Sequence, residues 1–157
     1  CSCNWPDLNS CKAVLYIFVR KELGLKDENW CGDYKGRFSL VNKGNDFVYD
    51  GMLKGHWSKQ NGDDVVWSTA KSYCKKLGSA WALPDIYQLM SLISETNDAN
   101  EGHINPIFSD NDSLWFWSST PRAASASNAW RVSFDFAYVN FPNVNDSNRV
   151  RCFRPGP

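Results

Sequence analysis

The chain has 157 residues, 43% hydrophobic and 15% aromatic, which suffices to bury one sizeable core, and its eight Trp, nine Phe and six Tyr argue against a plain helical bundle. Formal net charge is zero, yet every lysine lies at or before Lys76, and residues 85–112 carry six acids and no Lys or Arg. No basic face emerges, so nucleic acid is set aside as a partner, and no apolar run approaches the length of a membrane span.

The chain opens on Cys1 rather than Met, which reads as a mature secreted form or an excised piece. Cysteines stand at 1, 3, 11, 31, 74 and 152, with no C-x-x-C pair and only His56 and His103 as histidines, so zinc-ligand spacing is absent. Disulfides in an oxidising compartment are the better reading. A chain that begins on Cys is also what signal cleavage leaves on a lipid-anchored bacterial surface protein. A lipid at Cys1, leaving one thiol unpaired, competes with three disulfides. Pairing within Cys1, Cys3, Cys11 and Cys31 stays open.

Asn9-Ser10 caps a candidate helix from Cys11 to Leu23, stopped by Gly24, although Ala13 to Val19 reads equally as a buried strand. Residues 1–36 read as a cysteine-rich extension, ahead of a domain expected over residues 37–157. Arg37 to Val41 and Asp46 to Tyr49 are strand candidates in a turn-rich stretch. Trp67, Ala70, Cys74 and Leu77 share one helical face, with Lys71, Lys75 and Lys76 opposite and Gly78 as the stop.

Leu83-Pro84-Asp85-Ile86-Tyr87-Gln88 predicts a capping box between Asp85 and Gln88 on a helix reaching about Ser94, with Leu89, Met90, Leu92 and Ile93 inward. Glu95 to Asp112 reads as a long surface loop whose acids are hard oxygen ligands, but their spacing matches no EF-hand, and a solvated loop is the simpler account. Asn111-Asp112-Ser113 and Asn145-Asp146-Ser147 match the glycosylation triplet. Strands follow at Leu114 to Ser118, Ala129 to Phe134, Tyr138 to Phe141 and Arg149 to Phe153. Trp130, Val132 and Phe134 lie on one face, with Arg131, Ser133 and Asp135 on the other. Two helices followed by a strand-rich half give an α+β fold.

Asp46-Phe47-Val48-Tyr49-Asp50, Trp57, Trp67 with Ala70 and Cys74, Trp81-Ala82-Leu83-Pro84-Asp85, Gln88-Leu89, Phe116-Trp117-Ser118-Ser119-Thr120, Asn128-Ala129-Trp130, Val132, Phe134 and Val150-Arg151-Cys152 occur in this order. The set resembles the C-terminal domain of bacterial collagen-like adhesins over about Arg37 to Arg154. The resemblance implies a C-type-lectin-like fold, two helices on a small twisted antiparallel sheet with long loops. It also implies a disulfide between Cys74 and Cys152, contributing on the order of 4 kcal/mol. The family often has Thr where this chain has Asp85 and Glu where it has Gln88, and both exchanges keep the capping box. A Gly usual in the last hairpin is Ala137 here, which opens the question of its turn geometry. The sugar-binding triplets of calcium-dependent lectins are absent.

Lectin-fold proteins of this type are also targets of diversity-generating retroelements, which rewrite adenine positions into codons that cannot encode Lys, Glu, Gln, Met or Trp. None of those five occurs from Arg131 to Pro157. The alternative is an ordinary Asn-rich binding loop. Either way the non-frame residues Arg131, Ser133, Asp135, Phe136, Tyr138, Asn140, Phe141, Asn143, Asn145, Asp146, Asn148 and Arg149 form the candidate ligand-binding set. Stiff aromatics there supply contact area and Asn, Ser and Asp supply adaptable hydrogen bonds. Arg131 and Arg149 would clamp a carboxylate or sulfate if they converge. Arg151 and Arg154 belong to the frame.

These features describe a secreted or surface receptor or adhesin with a protein or glycan ligand and no cofactor. Catalysis has little support. The fold also carries formylglycine-generating enzymes, but their reactive cysteine pair has no counterpart once Cys74 and Cys152 bridge, and no nucleophile elbow surrounds any Ser. A conventional adhesin for sulfated polysaccharide, expected to show a basic patch, and a structural assembly or tip domain are the rival readings.

Overall fold

The computed structural model describes residues 37–41, 46–59, 62–98, 102–108 and 115–156, with backbone only for residues 95–98. The candidate helix 11–23 and the cysteines at 1, 3, 11 and 31 lie outside these residues. In chain order the described elements are β1 (Phe38–Leu40), β2 (Phe47–Asp50), β3 (Gly55–Ser58), α1 (Trp67–Tyr73), a 3-10 turn (Cys74–Leu77), α2 (Ile86–Met90), β4 (Ile93–Asp98), β5 (Gly102–Ile104), β6 (Trp115–Arg122), β7 (Ser125–Ser133), β8 (Tyr138–Asn140) and β9 (Phe153–Pro155).

Alternation builds the first sheet. It is antiparallel with order β1-β2-β3-β9, and Val48, Trp57 and Phe153 fall in register on its inner face. Tyr49, His56 and Arg154 fall in register on the other face, where the Tyr49 and His56 rings meet at 5.3 Å. Gly55 sits where a Cβ would come within 2.3 Å of the Phe153 ring, so a side chain there would push β9 off β3. The sheet is fastened by Asp50, which is fully buried. Its carboxylate accepts from Arg37 Nε at 3.0 Å and Nη2 at 2.7 Å, from Trp57 Nε1 at 3.0 Å, and from the backbone amides of Met52 and Leu53.

Cys74 and Cys152 are bonded across a separation of 78 residues, as the family resemblance implies. This bridge ties the end of α1 to the segment leading into β9. A loop of this length restricts the unfolded chain by about 4 kcal/mol. Ala70 and Cys74 are buried as the helical spacing requires, but Leu77 is 43% exposed. The helix tightens to a 3-10 turn at Cys74 and ends at Gly78, which carries Leu77 to the rim of a groove it shares with Phe47 and Tyr73.

The capping box is present: Asp85 accepts from the amide of Gln88 at 2.8 Å, and Gln88 accepts from that of Asp85 at 3.0 Å. The helix stops at Met90, short of Ser94. Arg37 Nη1 takes the carbonyl of Ser91 at 2.6 Å, removing an acceptor that a further helical turn would use. Ile93 then starts β4, which pairs with β5 through Ile93 and Ile104, so the expected loop from Glu95 contains a hairpin.

β6, β7 and β8 form a second antiparallel sheet with β8 at its edge. It is packed on both faces. Phe116, Val132 and Phe134 join Val48, Trp57, Leu89 and Phe153 in one core, while Trp117 and Ala129 join Ala70, Cys74, Trp81 and Cys152 in the other. Neighbours in β6 thus serve different cores through the strand pleat. The expected strand Arg149 to Phe153 is not one strand. Asn148 bridges Val65 and Arg149 bridges Phe116, whereas Phe153 pairs with Trp57, so the segment crosses from one sheet to the other.

Three outcomes follow. Ala137 has φ +48°, a left-handed conformation that favours Gly, so Ala137→Gly is expected to raise stability by about 0.5–1 kcal/mol, read from the urea midpoint. Asp50→Asn removes the buried carboxylate charge that Arg37, Trp57 and two backbone amides share, and is expected to cost about 3–5 kcal/mol in the same measurement. Burial, and then the neighbouring Arg154, hold the pKa of His56 below its ordinary 6.5. The unfolded chain therefore takes up the proton first, and stability falls as pH drops through about 6.5. His56→Asn is expected to flatten that part of the pH profile in urea titrations.

Candidate functional site

β7 and β8 set the register of the candidate surface. Arg131 pairs with Asn140 and Ser133 with Tyr138, while β6 places Trp117 beside Arg131 and Trp115 beside Ser133. Cross-strand partners share a face, so Trp115, Arg131, Ser133, Tyr138 and Asn140 lie together on the face opposite Phe116 and Val132.

Arg131 is the centre of this face. Its Nε donates to Asn140 Oδ1 at 2.7 Å, its Nη1 donates to Asn148 Oδ1 at 2.6 Å, and its guanidinium lies 4.0 Å from the Trp115 ring centroid. Tyr138 meets the same indole edge-on at 6.2 Å. Burial pulls the pKa of Arg131 below its ordinary value and nearby Asp146 draws it back up; the side chain stays charged.

The loop after β8 is tied by its backbone. Ala129 N donates to Pro142 O, Val144 N to Ser127 O and Trp67 N to Val144 O, while Asn143 Oδ1 accepts from the amide of Asn145. These bonds fix the path and leave the side chains of Asn143, Asn145 and Asp146 outward.

The sequence-derived set therefore divides. Phe136, at 71%, and Tyr138, at 57%, are the most exposed large apolar side chains among the described residues. Asp135, Asn140, Arg131 and Arg149 are half-buried. Ser133 and Asn148 are 1% and 3% exposed and are corrected from ligand contacts to supporting residues. Ser133 is covered because its register places it between Trp115 and Tyr138. Asn148 is covered because its backbone pairs with Val65.

Phe141 faces away from Tyr138 and packs edge-on against Trp130 at 4.9 Å, with the Arg122 guanidinium 4.0 Å from its ring. Nor do Arg131 and Arg149 form one clamp. Arg149 turns to the preceding loop, where its Nε lies 3.4 Å from Asp64 and its Nη1 donates to Gly62 O. As assigned to the frame, Arg151 is fully buried and donates to the carbonyls of Ser58 and Lys59, and Arg154 lies over Trp81.

Sequence reasoning missed Trp115 as the platform beneath Arg131. Its signal was the two-residue spacing to Trp117, which puts both indoles on one face of β6. It also missed Arg122, which no local pattern ties to Phe141. No group of three His, Cys, Asp or Glu suited to a metal ion occurs among the described residues.

The family model described as the Lcl C-terminal domain matches residues 46–154. No curated protein matches the chain. Among solved structures it is similar to botrocetin, at 14% identity over 80% of this chain and 100% of that chain with a TM-score of 0.41. It is similar as well to ovocleidin-17 of the Gallus gallus eggshell calcified layer, at 11% identity over 79% and 100% with a TM-score of 0.40. Rhodocetin overlaps at 12% identity over 80% and 99% with a TM-score of 0.43. These overlaps are loose, whereas the family match spans most of the chain and contains every element from β2 to Phe153 and Arg154 of β9. The chain, with its C-type-lectin-like fold, belongs to the family of Lcl C-terminal domains.

Proposed function

We propose that the domain is a receptor or adhesin module, secreted or displayed on a cell surface, whose β7–β8 turn and following loop form a recognition surface diversified by a retroelement. It binds and does not catalyse. The observation that carries this reading is the separation of side chains within one segment. Trp117, Ala129, Val132, Phe134, Val150, Arg151 and Cys152 are buried, while Asp135, Phe136, Tyr138, Asn143, Asn145 and Asp146 reach solvent. Substitutions at such outward positions cost little stability, so recognition changes without disturbing the fold.

Sequencing the last hundred or so bases of this gene across a population of the source organism, with any nearby near-copy, tests the diversification. Substitutions confined to outward codons and to adenines of the copy are the expected result. A uniform sequence would return the domain to a conventional adhesin, for which salt-sensitive binding to sulfated polysaccharide is the next measurement.

The same separation yields a stability test. Phe136→Ala and Tyr138→Ala are each expected to change unfolding free energy by less than about 0.5 kcal/mol. Phe141→Ala, which removes the contacts to Trp130 and Arg122, is expected to cost about 1–2 kcal/mol in urea unfolding.

A further inference from the structure

Arginines in this domain are met in different ways. Arg37 is paired with the Asp50 carboxylate, and Arg151 donates into backbone carbonyls. Arg131 is held only by the neutral side-chain oxygens of Asn140 and Asn148, has no carboxylate within ion-pair distance among the described residues, and makes no hydrogen bond through Nη2. Asn148 is 3% exposed and its Nδ2 has no hydrogen-bond partner. A buried amide is thus left half satisfied while its oxygen aims one guanidinium.

Withdrawing a cation from water without a counter-charge is unfavourable. Here the cation is fixed in place, stacked on Trp115, and bordered by Tyr138 through the same indole. A planar fork aimed in advance matches a carboxylate. A stacked Arg beside Trp and Tyr is also the residue set that dominates protein interfaces.

Resting on the recognition surface proposed above, we infer that the unpaired edge of Arg131 anchors a carboxylate of a protein partner, an Asp or Glu side chain set among apolar residues that cover Tyr138 and Phe136. The charge pattern favours a protein over a polyanionic polymer. A sulfated chain needs several cations in a row. This surface offers one, with Asp146 near it and Arg149 turned to Asp64. The exposed rings of Phe136 and Tyr138 suit apolar neighbours of the acid.

The test is selection of a displayed random-peptide library on the full chain, followed by binding of the recovered peptides to variants. The expected peptides carry Asp or Glu beside apolar residues, and Arg131→Gln weakens them by about tenfold or more. Asn148→Asp is the companion variant. It keeps the side-chain shape and supplies Arg131 with an internal counter-charge, so the thermal midpoint is expected to hold or rise while peptide affinity falls by a similar factor. A merely structural Arg131 would leave affinity unchanged in Asn148→Asp, which overturns the assignment. If Arg131→Gln fails to fold, Asn148→Asp decides alone.

Peptides without acids, or unchanged affinity in both variants, also overturn it. Binding that then still depends on Phe136 and Tyr138 leaves the recognition surface standing; binding that depends on none of these residues removes both. Heparin retention that is lost in Arg131→Gln, with no acidic peptides recovered, reassigns the anchor to a sulfated polymer.

Discussion

One buried carboxylate organises half of the domain. Asp50 gathers the guanidinium of Arg37, the indole of Trp57 and the amides of the β2–β3 turn, so the edge strand, the turn and the centre of the larger core share a single acceptor. Arg37 in turn reaches the carbonyl and hydroxyl of Ser91 and fixes where α2 ends. The charge is affordable in the interior because every lone pair meets a donor and because the guanidinium neutralises it. From that fixed point α2 lies against β6 and β7, and the recognition strands inherit their position from a network on the far side of the core.

The second sheet turns a geometric rule into a division of labour. Because it is packed on both faces, β6 and β7 each contribute to two cores, while β8 adds only Val139, to the larger one. Trp117 is covered and Trp115, two residues earlier on the same face, is half-open. That offset creates the platform on which Arg131 rests. In the β7–β8 turn Phe136 is exposed while its neighbour Ala137 packs against the larger core, in a left-handed conformation where a glycine would be at ease.

Features that depend on neighbouring residues were legible in the sequence. The Asp85 and Gln88 box needs only four positions, and the alternation of Trp130, Val132 and Phe134 against Arg131 and Ser133 gave the face of each side chain correctly. Burial was not legible in the same way. Ser133 lies on the outward face, yet Trp115 and Tyr138 close over it from other strands, and Asn148 is covered through its pairing with Val65. The end of α2 depended on Arg37, distant in sequence. The Cys74 and Cys152 pair came from the family resemblance, since spacing alone left several pairings open.

The crossing of residues 148–155 between the two sheets bears on how the domain forms. β3 pairs with β9 through Trp57 and Phe153, Ala82 also bridges Phe153, and Ser58 N donates to Cys152 O. These contacts join residues roughly a hundred positions apart in the case of β3 and β9, and such non-local pairing slows folding because loop entropy is lost before the contact forms. A ribosome-bound chain that lacks its last strand has an open edge on β3, no partner for Cys74 and an uncovered Trp57. Closure must therefore wait until Cys152 and Phe153 have emerged, so the native domain is reached only after translation has passed through the whole recognition segment.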